Sequence, residues 1–120
     1  MATLTPQKIE ETGVTISAYT TCDSSGDDFV NTGVEFIQVQ NNHGSAARTV
    51  TIAATTEDIS DATYGTLKKV NITKSIVAGQ SMIFGPFKML AFNNADGKVA
   101  ITYSDSAADM KIIVVYLDRQ

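Results

Sequence analysis

Apolar and polar residues alternate along much of this chain, and that alternation restricts its fold more than any other feature. Val and Ile occupy every second position, and most residues between them are Thr, Ser, Asn or Ala. Because successive side chains of a β-strand point to opposite sides of a sheet, such segments predict strands with one buried face. The alternating segments are 13–19, 49–53, 69–76 and 98–103.

Three other segments are more uniformly apolar. In VEFIQVQ (34–40) the apolar residues change phase in the middle, which predicts a bulge or a strand covered on both faces. SMIFGPF (81–87) and KIIVVYL (111–117) are dense runs of β-branched and aromatic residues. Such runs are typical of central strands, whose two faces both contact protein.

Turn-forming residues separate these strands. Asn, Asp and Gly cluster at 41–48, 77–80 and 93–97. They favour tight turns because Gly tolerates positive φ, and Asn and Asp bond to their own backbone. The segment 54–67 is expected to be a long loop, and 6–11 is expected to form a weak helical turn.

We therefore predict an all-β fold, an antiparallel β-sandwich of about seven or eight strands with jelly-roll wiring. The sandwich is expected to span 14–120. Residues 1–13 are expected to form an extended N-terminal arm that lies on a larger partner or on a neighbouring subunit. With 120 residues, 43% of them apolar, the chain has enough material for one such domain and little room for a second.

Charge and hydrophobic length argue against two classes of partner. Nine Lys and Arg against thirteen Asp and Glu give a net charge of −4, which leaves no basic face for nucleic acid. No segment approaches the ~18 consecutive apolar residues that a membrane span needs. The N-terminus also lacks the basic start and apolar block of a secretory signal. We expect a soluble protein made in a cytoplasm.

Residues with catalytic or metal-binding chemistry are few and scattered. His43 is the single histidine and lies in an Asn- and Gly-rich turn, which predicts a solvated turn residue. Cys22 is the single cysteine, so neither an intrachain disulfide nor a thiolate zinc site is expected. Asp23, Asp27 and Asp28 do not have the spacing of a calcium-binding loop. We predict no catalytic residue, no metal site and no cofactor.

Four segments, taken in order, resemble a family of viral structural proteins. They are DDFVNTGVEFIQVQNN, RTVTIA, IVAGQSMIFGPF and FNNADGKVAITYS. This succession resembles small β-sandwich capsid decoration (cement) proteins of tailed bacteriophages. The resemblance covers roughly residues 28–117, most of the chain. Its most distinctive part is AG before a strand that ends in GPF, followed by FNNADGKV.

The resemblance implies a structural role without catalysis. Proteins of that family bind the outside of an assembled phage head and stabilise it, typically as homotrimers at three-fold or quasi-three-fold axes. For this chain it implies the major capsid protein as partner and the capsid surface of the virion as location. The apolar residues expected at the capsid or subunit interface are Leu4, Ile9, Phe87, Met89 and Leu90. For Met89 and Leu90, a place in the core is an equal alternative.

Three other interpretations stay open. A tail, neck or fibre-attachment component of the same virion would often carry long helices or repeats, which the sequence lacks. A carbohydrate-binding sandwich would use Tyr19, Tyr64 and Tyr103 for stacking, in a chain without Trp. An enzyme would need His43 to meet a nucleophile and an orienting carboxylate in the fold.

Overall fold

The computed structural model describes residues 2–13, 19–55, 59–61, 65–67, 70–104 and 109–117. These residues form strands and one short helix. In chain order the elements are β1 (Ala2–Leu4), β2 (Gln7–Lys8), β3 (Thr20–Thr21), β4 (Asp27–Val30), β5 (Glu35–Asn41), β6 (Arg48–Ile52), β7 (Ile59–Asp61), β8 (Gly65–Leu67), β9 (Ile72–Ile76), β10 (Ser81–Phe84), α1 (Met89–Phe92), β11 (Lys98–Tyr103) and β12 (Met110–Tyr116).

The strands form two sheets and a separate hairpin. The first sheet has the order β1-β4-β11-β6-β9, and the second has β10-β5-β12-β2, with β3 also paired to β12. Among the eight strands from β4 to β11, the first pairs with the eighth, the second with the seventh, the third with the sixth, and the fourth with the fifth. This is the pairing of a jelly roll, in which a long hairpin is folded over on itself. The predicted β-sandwich is therefore confirmed.

The hydrophobic core lies between the two sheets. In β5 the burial alternates strictly, with Ile37 and Val39 buried and Phe36 and Gln38 half-buried on the outer face. The first sheet faces them with residues such as Phe29. The other fully or nearly fully buried apolar side chains of the two sheets are Val50, Ile52, Ile76, Val99, Ile101, Met110, Ile112 and Val114.

Most long strands lie where the alternation predicts them. β6, β11 and β12 occupy the predicted segments, and β12 is a central strand as expected. The phase change in 34–40 corresponds to no bulge, because Glu35–Asn41 pairs residue for residue with Met110–Tyr116. Phe36 is simply an apolar residue on the outer face. The predicted strand at 13–19 falls mainly on 14–18, outside the described residues.

Two details of the strand predictions are wrong. SMIFGPF was expected in the middle of a sheet, but β10 is an edge strand and Ile83 is 69% exposed. A dense apolar run does not by itself distinguish an edge from a centre. Val70 was expected on the buried face with Ile72, but it precedes β9 and is 71% exposed. The alternation continues there beyond the end of the strand.

The loop and helix predictions also need correction. Within 54–67, expected to be a loop, the structure places the hairpin of β7 and β8. Within 6–11, expected to be a helical turn, it places β2. The one helix, α1, was not predicted. Each of the unpredicted elements has two to four residues, too few for a periodic pattern to be recognised.

Residues 2–9 of the N-terminal segment are extended, as predicted, but they pack on their own sandwich. β1 pairs with β4 in parallel at one edge of the first sheet, and β2 pairs with β12 in parallel at the edge of the second. Ile9 continues this contact, since its backbone N–H donates to the carbonyl of Tyr116 at 2.8 Å. The segment therefore joins the two sheets along one side instead of standing apart from residues 14–120.

Candidate interaction surface

Exposed apolar side chains gather at one end of the sandwich, where β4, β10 and β12 end and β5, β9 and β11 begin. We call this end the apolar pole. Its exposed apolar residues are Val30, Val70, Met89, Leu90 and Leu117, with exposed fractions of 47, 71, 51, 71 and 49%. Among the described residues, the other large apolar side chains of comparable exposure, Val77 and Ile83, lie at the opposite end and on an edge strand.

The helical turn α1 determines how two of these side chains are presented. Its Ala91 and Phe92 are buried, while Met89 and Leu90 face outward. With about 100° between successive residues, the first two side chains of this turn cover one half of the helix and the last two cover the other half. The buried pair anchors the turn, and the exposed pair extends the apolar surface over it.

Phe87 anchors the pole from beneath. Its side chain is 2% exposed, and its ring lies 5.9 Å from that of Phe29 and 5.5 Å from that of Phe92, measured between centroids. Both ring pairs are tilted or edge-on, the arrangement that aromatic rings favour. Phe87 therefore joins the core of the first sheet to α1.

A pair of asparagines fixes the loops of the apolar pole to each other. Asn31 is 3% exposed, and its Nδ2 donates to the carbonyl of Phe87 at 3.0 Å and to Oδ1 of Asn93 at 2.7 Å. Asn93 returns a bond from its Nδ2 to the carbonyl of Asn31 at 3.0 Å. Asn31 Oδ1 also accepts from the N–H of Gly33. These buried amides satisfy backbone groups that would otherwise lack partners.

Glu35 closes the turn between β4 and β5. Its side chain is 4% exposed, and Oε1 accepts from the backbone N–H of Thr32 at 2.6 Å while Oε2 accepts from the Thr32 hydroxyl at 2.8 Å. Gly85 lies against this turn with φ of 120°, and a Cβ there would stand 2.9 Å from the carbonyl oxygen of Glu35. Only glycine fits that position, because a side chain would meet backbone.

Two grooves cross the apolar pole and meet at Thr32. One, of about 510 Å³, is lined mainly by apolar side chains that include Pro6, Val30, Val34 and Leu117. The other, of about 500 Å³, runs along 86–90 beside Gly33. Val30 and Leu117 line the first groove, and Met89 and Leu90 line the second together with Lys88.

The residues predicted for the interface divide into three groups by their exposure. Met89 and Leu90 are exposed at the apolar pole, so of their two predicted places the structure favours the surface. Leu4 and Phe87 are 8% and 2% exposed and belong to the core, which leaves little of either side chain accessible to another protein. Ile9 is half-buried beside the end of β12.

Val30, Val70 and Leu117 were missed as surface residues. For Val30 a signal existed, because alternation places it opposite the buried Phe29. For Val70, which precedes β9, the alternation predicts the buried face of the sheet, which is wrong. For Leu117, which follows β12, the alternation predicts neither face. The arrangement of both residues around one pole depends on the jelly-roll pairing, which spacing along the chain does not reveal.

The other end of the sandwich, where β4 begins and β11 ends, is called the opposite pole. It contains a buried polar cluster. Asp27 is fully buried, and its Oδ2 accepts from the hydroxyl of Tyr103 at 2.6 Å and from the backbone N–H of Asp23 at 3.1 Å. Its Oδ1 has no hydrogen-bond partner among the described residues. Burial raises the pKa of the Asp27 carboxyl and that of the Tyr103 hydroxyl. Burial also raises the pKa of the Cys22 thiol, to about 11, so at neutral pH this thiol is protonated and a weak nucleophile.

The three aspartates tested as metal ligands point in different directions. Asp27 faces the core, Asp28 accepts from the Thr3 hydroxyl at 2.7 Å, and Asp23 accepts from the N–H and hydroxyl of Ser25. The bond from the Ser25 N–H lowers the pKa of Asp23. In the described part of the chain, no three His, Cys, Asp or Glu side chains lie together as metal ligands would.

His43 has a structural position in the loop between β5 and β6. Its Nδ1 accepts from the backbone N–H groups of Ser45 at 3.0 Å and Ala46 at 2.8 Å. Asn41 completes the loop by donating from Nδ2 to the carbonyls of Ala46 and Ile76, each at 2.9 Å. One imidazole nitrogen is therefore engaged with the loop backbone, which agrees with the prediction of a turn residue.

Comparisons with models of protein families, with curated proteins and with solved structures found no significant match to this chain. Among the described residues, no helix has the length and apolar character required to cross a membrane. The apolar pole is thus the feature of the structure on which a functional assignment rests, together with the sequence resemblance to capsid decoration proteins.

Proposed function

We propose that this chain is a virion structural protein of the capsid decoration type. It binds the outside of an assembled phage head through the apolar pole, with the major capsid protein as its partner and with homotrimers at three-fold axes as its working form. The observation that carries the proposal is the concentration of exposed Val, Leu and Met side chains at one pole. Contiguous apolar surface of this kind marks sites of protein contact.

The construction of the pole suits such a contact. Buried groups support the exposed side chains of the pole. Phe92 of α1 packs against Phe87, and a hydrogen bond between Asn31 and Asn93 joins the neighbouring loops. A surface that is ordered before binding loses less conformational entropy in the complex, so more of the contact energy appears as affinity. Three linked copies would raise the effective concentration for each later contact, so each pole needs only a modest interface.

The sugar-binding alternative has less support. The Tyr103 hydroxyl donates to a buried carboxylate, and the ring is only partly exposed, so it offers no open face for stacking. Tyr19 is half-buried. Tyr64, the third residue considered for this role, lies outside the described residues.

A binding experiment with matched variants tests the proposal. Purified expanded shells that lack the protein are mixed with wild-type chain, with Leu90→Asp, or with the control Val77→Asp. Leu90 and Val77 are both exposed apolar residues, but Val77 lies at the opposite pole. If Leu90 is a central contact residue, we expect Leu90→Asp to weaken binding by about 30-fold or more. Val77→Asp should bind like wild type.

Two outcomes would contradict the proposal. One is a wild-type chain that does not add to such shells at any concentration. The other is equal binding by Leu90→Asp and wild type, which would remove the apolar pole from the contact. Cryo-electron microscopy of the particle gives the location directly, with density expected at three-fold positions. Density at the tail or neck would instead support the tail-component alternative.

A further inference from the structure

The edges of the two sheets differ in how they are protected. An open strand edge can pair with another chain, and proteins block it with charges, Pro, short strands or covering segments. At the edge of the first sheet, Thr3 of the three-residue β1 is bonded to the Asp28 carboxylate. β2 has two residues, includes an exposed Lys8 and follows Pro6. β9 has an exposed Lys74 at its centre.

β10 is short, with four residues, but it has no charge, no Pro and no covering strand among the described residues. The strand consists of Ser, Met, Ile and Phe, and the residue before it is Gln80, so it contains no charge and no Pro. Ile83 is 69% exposed on its outer face. The neighbouring positions on β5, Gln38 and Gln40, are also uncharged.

The backbone of β10 is oriented for further pairing. Gln80 accepts from the N–H of Asn41 on β5, so its carbonyl points toward that strand. Because N–H and C=O groups alternate in direction along an antiparallel strand, Met82 and Phe84 also face β5. Ser81 and Ile83 therefore direct their N–H and C=O groups away from the sheet. On this edge β10 has no partner strand among the described residues.

We propose that β10 pairs with β10 of a second copy of this chain, antiparallel and about a two-fold axis near Met82. In that register Ser81 of each copy lies opposite Ile83 of the other, so both outward-facing residues exchange backbone hydrogen bonds. The two Ile83 side chains become diagonal neighbours on one face and pack together. The second sheet then continues through both copies.

A second copy is the occupant that the chemistry of the edge favours. Two identical edges meet without like-charge repulsion only when the edge is uncharged, and β10 meets that condition whereas β2 and β9, with Lys8 and Lys74, do not. A two-fold contact also closes on itself, because each copy pairs with the outer edge of β10 in the other. The contact lies on the side of the sandwich and leaves the apolar pole accessible, so it is separate from the contacts that form the proposed homotrimer and links copies of two different trimers.

Mass measurements on wild type and two variants test this pairing. Ile83→Lys places two like charges next to each other across the proposed axis, and its control, Thr73→Lys, adds the same charge at an exposed position on β9. By sedimentation equilibrium we expect Ile83→Lys to have half the mass of wild type and Thr73→Lys to keep the wild-type mass. Circular dichroism establishes that each variant is folded, and Ser81→Lys replaces Ile83→Lys if the latter is not.

Hydrogen exchange provides a second readout. In the wild-type assembly, the Ser81 and Ile83 amides should exchange slowly, and they should exchange rapidly in the folded Ile83→Lys variant. The Met82 amide, bonded to β5, should stay slow in both. Equal masses for wild type and Ile83→Lys, or rapid exchange at Ser81 and Ile83 in wild type, would overturn the pairing. The outcome is independent of the shell proposal, because Leu90→Asp should keep the wild-type mass and Ile83→Lys should still bind shells.

Discussion

The two poles of the sandwich are held by the same device and yet present different surfaces. Each has a buried asparagine at a strand end, Asn31 at the apolar pole and Asn41 at the opposite one, whose side chain bonds to neighbouring loops. At the apolar pole these bonds join Asn31 to Phe87 and Asn93, and exposed Val, Met and Leu side chains lie beside exposed Thr32 and Lys88. At the opposite pole the loops present Ser, Gly and Asn, and a carboxylate is buried beneath them. The two poles therefore share buried asparagines that hold their loops, but they differ in the residues that their loops expose.

The largest expected effect separates the buried and exposed parts of the apolar pole. Phe87→Ala should lower the free energy of unfolding by about 3–5 kcal/mol, because it removes a fully packed ring and leaves a cavity. Leu90→Ala, three positions along, should change it by no more than about 0.5 kcal/mol, as is usual for an exposed residue. Urea unfolding of the two variants measures both values. A similar loss in both would mean that Leu90 belongs to the core after all.

A smaller effect compares the two asparagines. Asn31→Ala and Asn41→Ala each leave buried backbone groups unpaired, and we expect each to cost about 1–3 kcal/mol in unfolding free energy. The variants should differ in function: Asn31→Ala loosens the loops of the apolar pole and should weaken shell binding, whereas Asn41→Ala should not. Equal binding losses would show that global stability, not the order of the apolar pole, limits the contact.

Much of this fold was predictable because its long strands alternate cleanly. β6 and β11 follow the pattern, and their neighbours in the sheet share it, so the sandwich could be inferred. The position of β10 could not, since a run such as SMIFGPF reads the same in the centre of a sheet and at its edge. Its edge position results from the pairing order of the whole jelly roll.

The candidate surface was predictable only in part, for a related reason. Met89 and Leu90 were identified as apolar candidates, but Phe87 was grouped with them because all three follow the Gly-Pro corner. The four-residue turn α1 decides which of them is buried, and its length is below what periodicity can detect. The burial of Asp27 was missed as well, because a strand-initial Asp next to a Gly is typical of a solvated turn.

The smallest expected effect concerns the opposite pole and depends on pH. Burial raises the pKa of Asp27 above its ordinary value of about 3.9. Below that value both the folded and the unfolded chain carry the proton, and the contribution of this carboxyl to stability is greatest. As pH rises, the unfolded chain releases the proton first, so stability falls until the raised pKa is passed and then stays lower.

Asp27→Asn isolates this contribution. The amide keeps an oxygen that accepts from Tyr103 and Asp23, and its uncharged nitrogen takes the place of the oxygen that lacks a partner. Because Asn does not titrate, wild type should lose stability relative to the variant between about pH 3 and pH 7, as urea midpoints at the two pH values would show. The change is expected to be smaller than the losses above, since two hydrogen bonds to the carboxylate oppose the effect of burial. A difference between wild type and variant that stays constant with pH would mean that the carboxyl is solvated in both states, and the opposite pole would then be polar throughout.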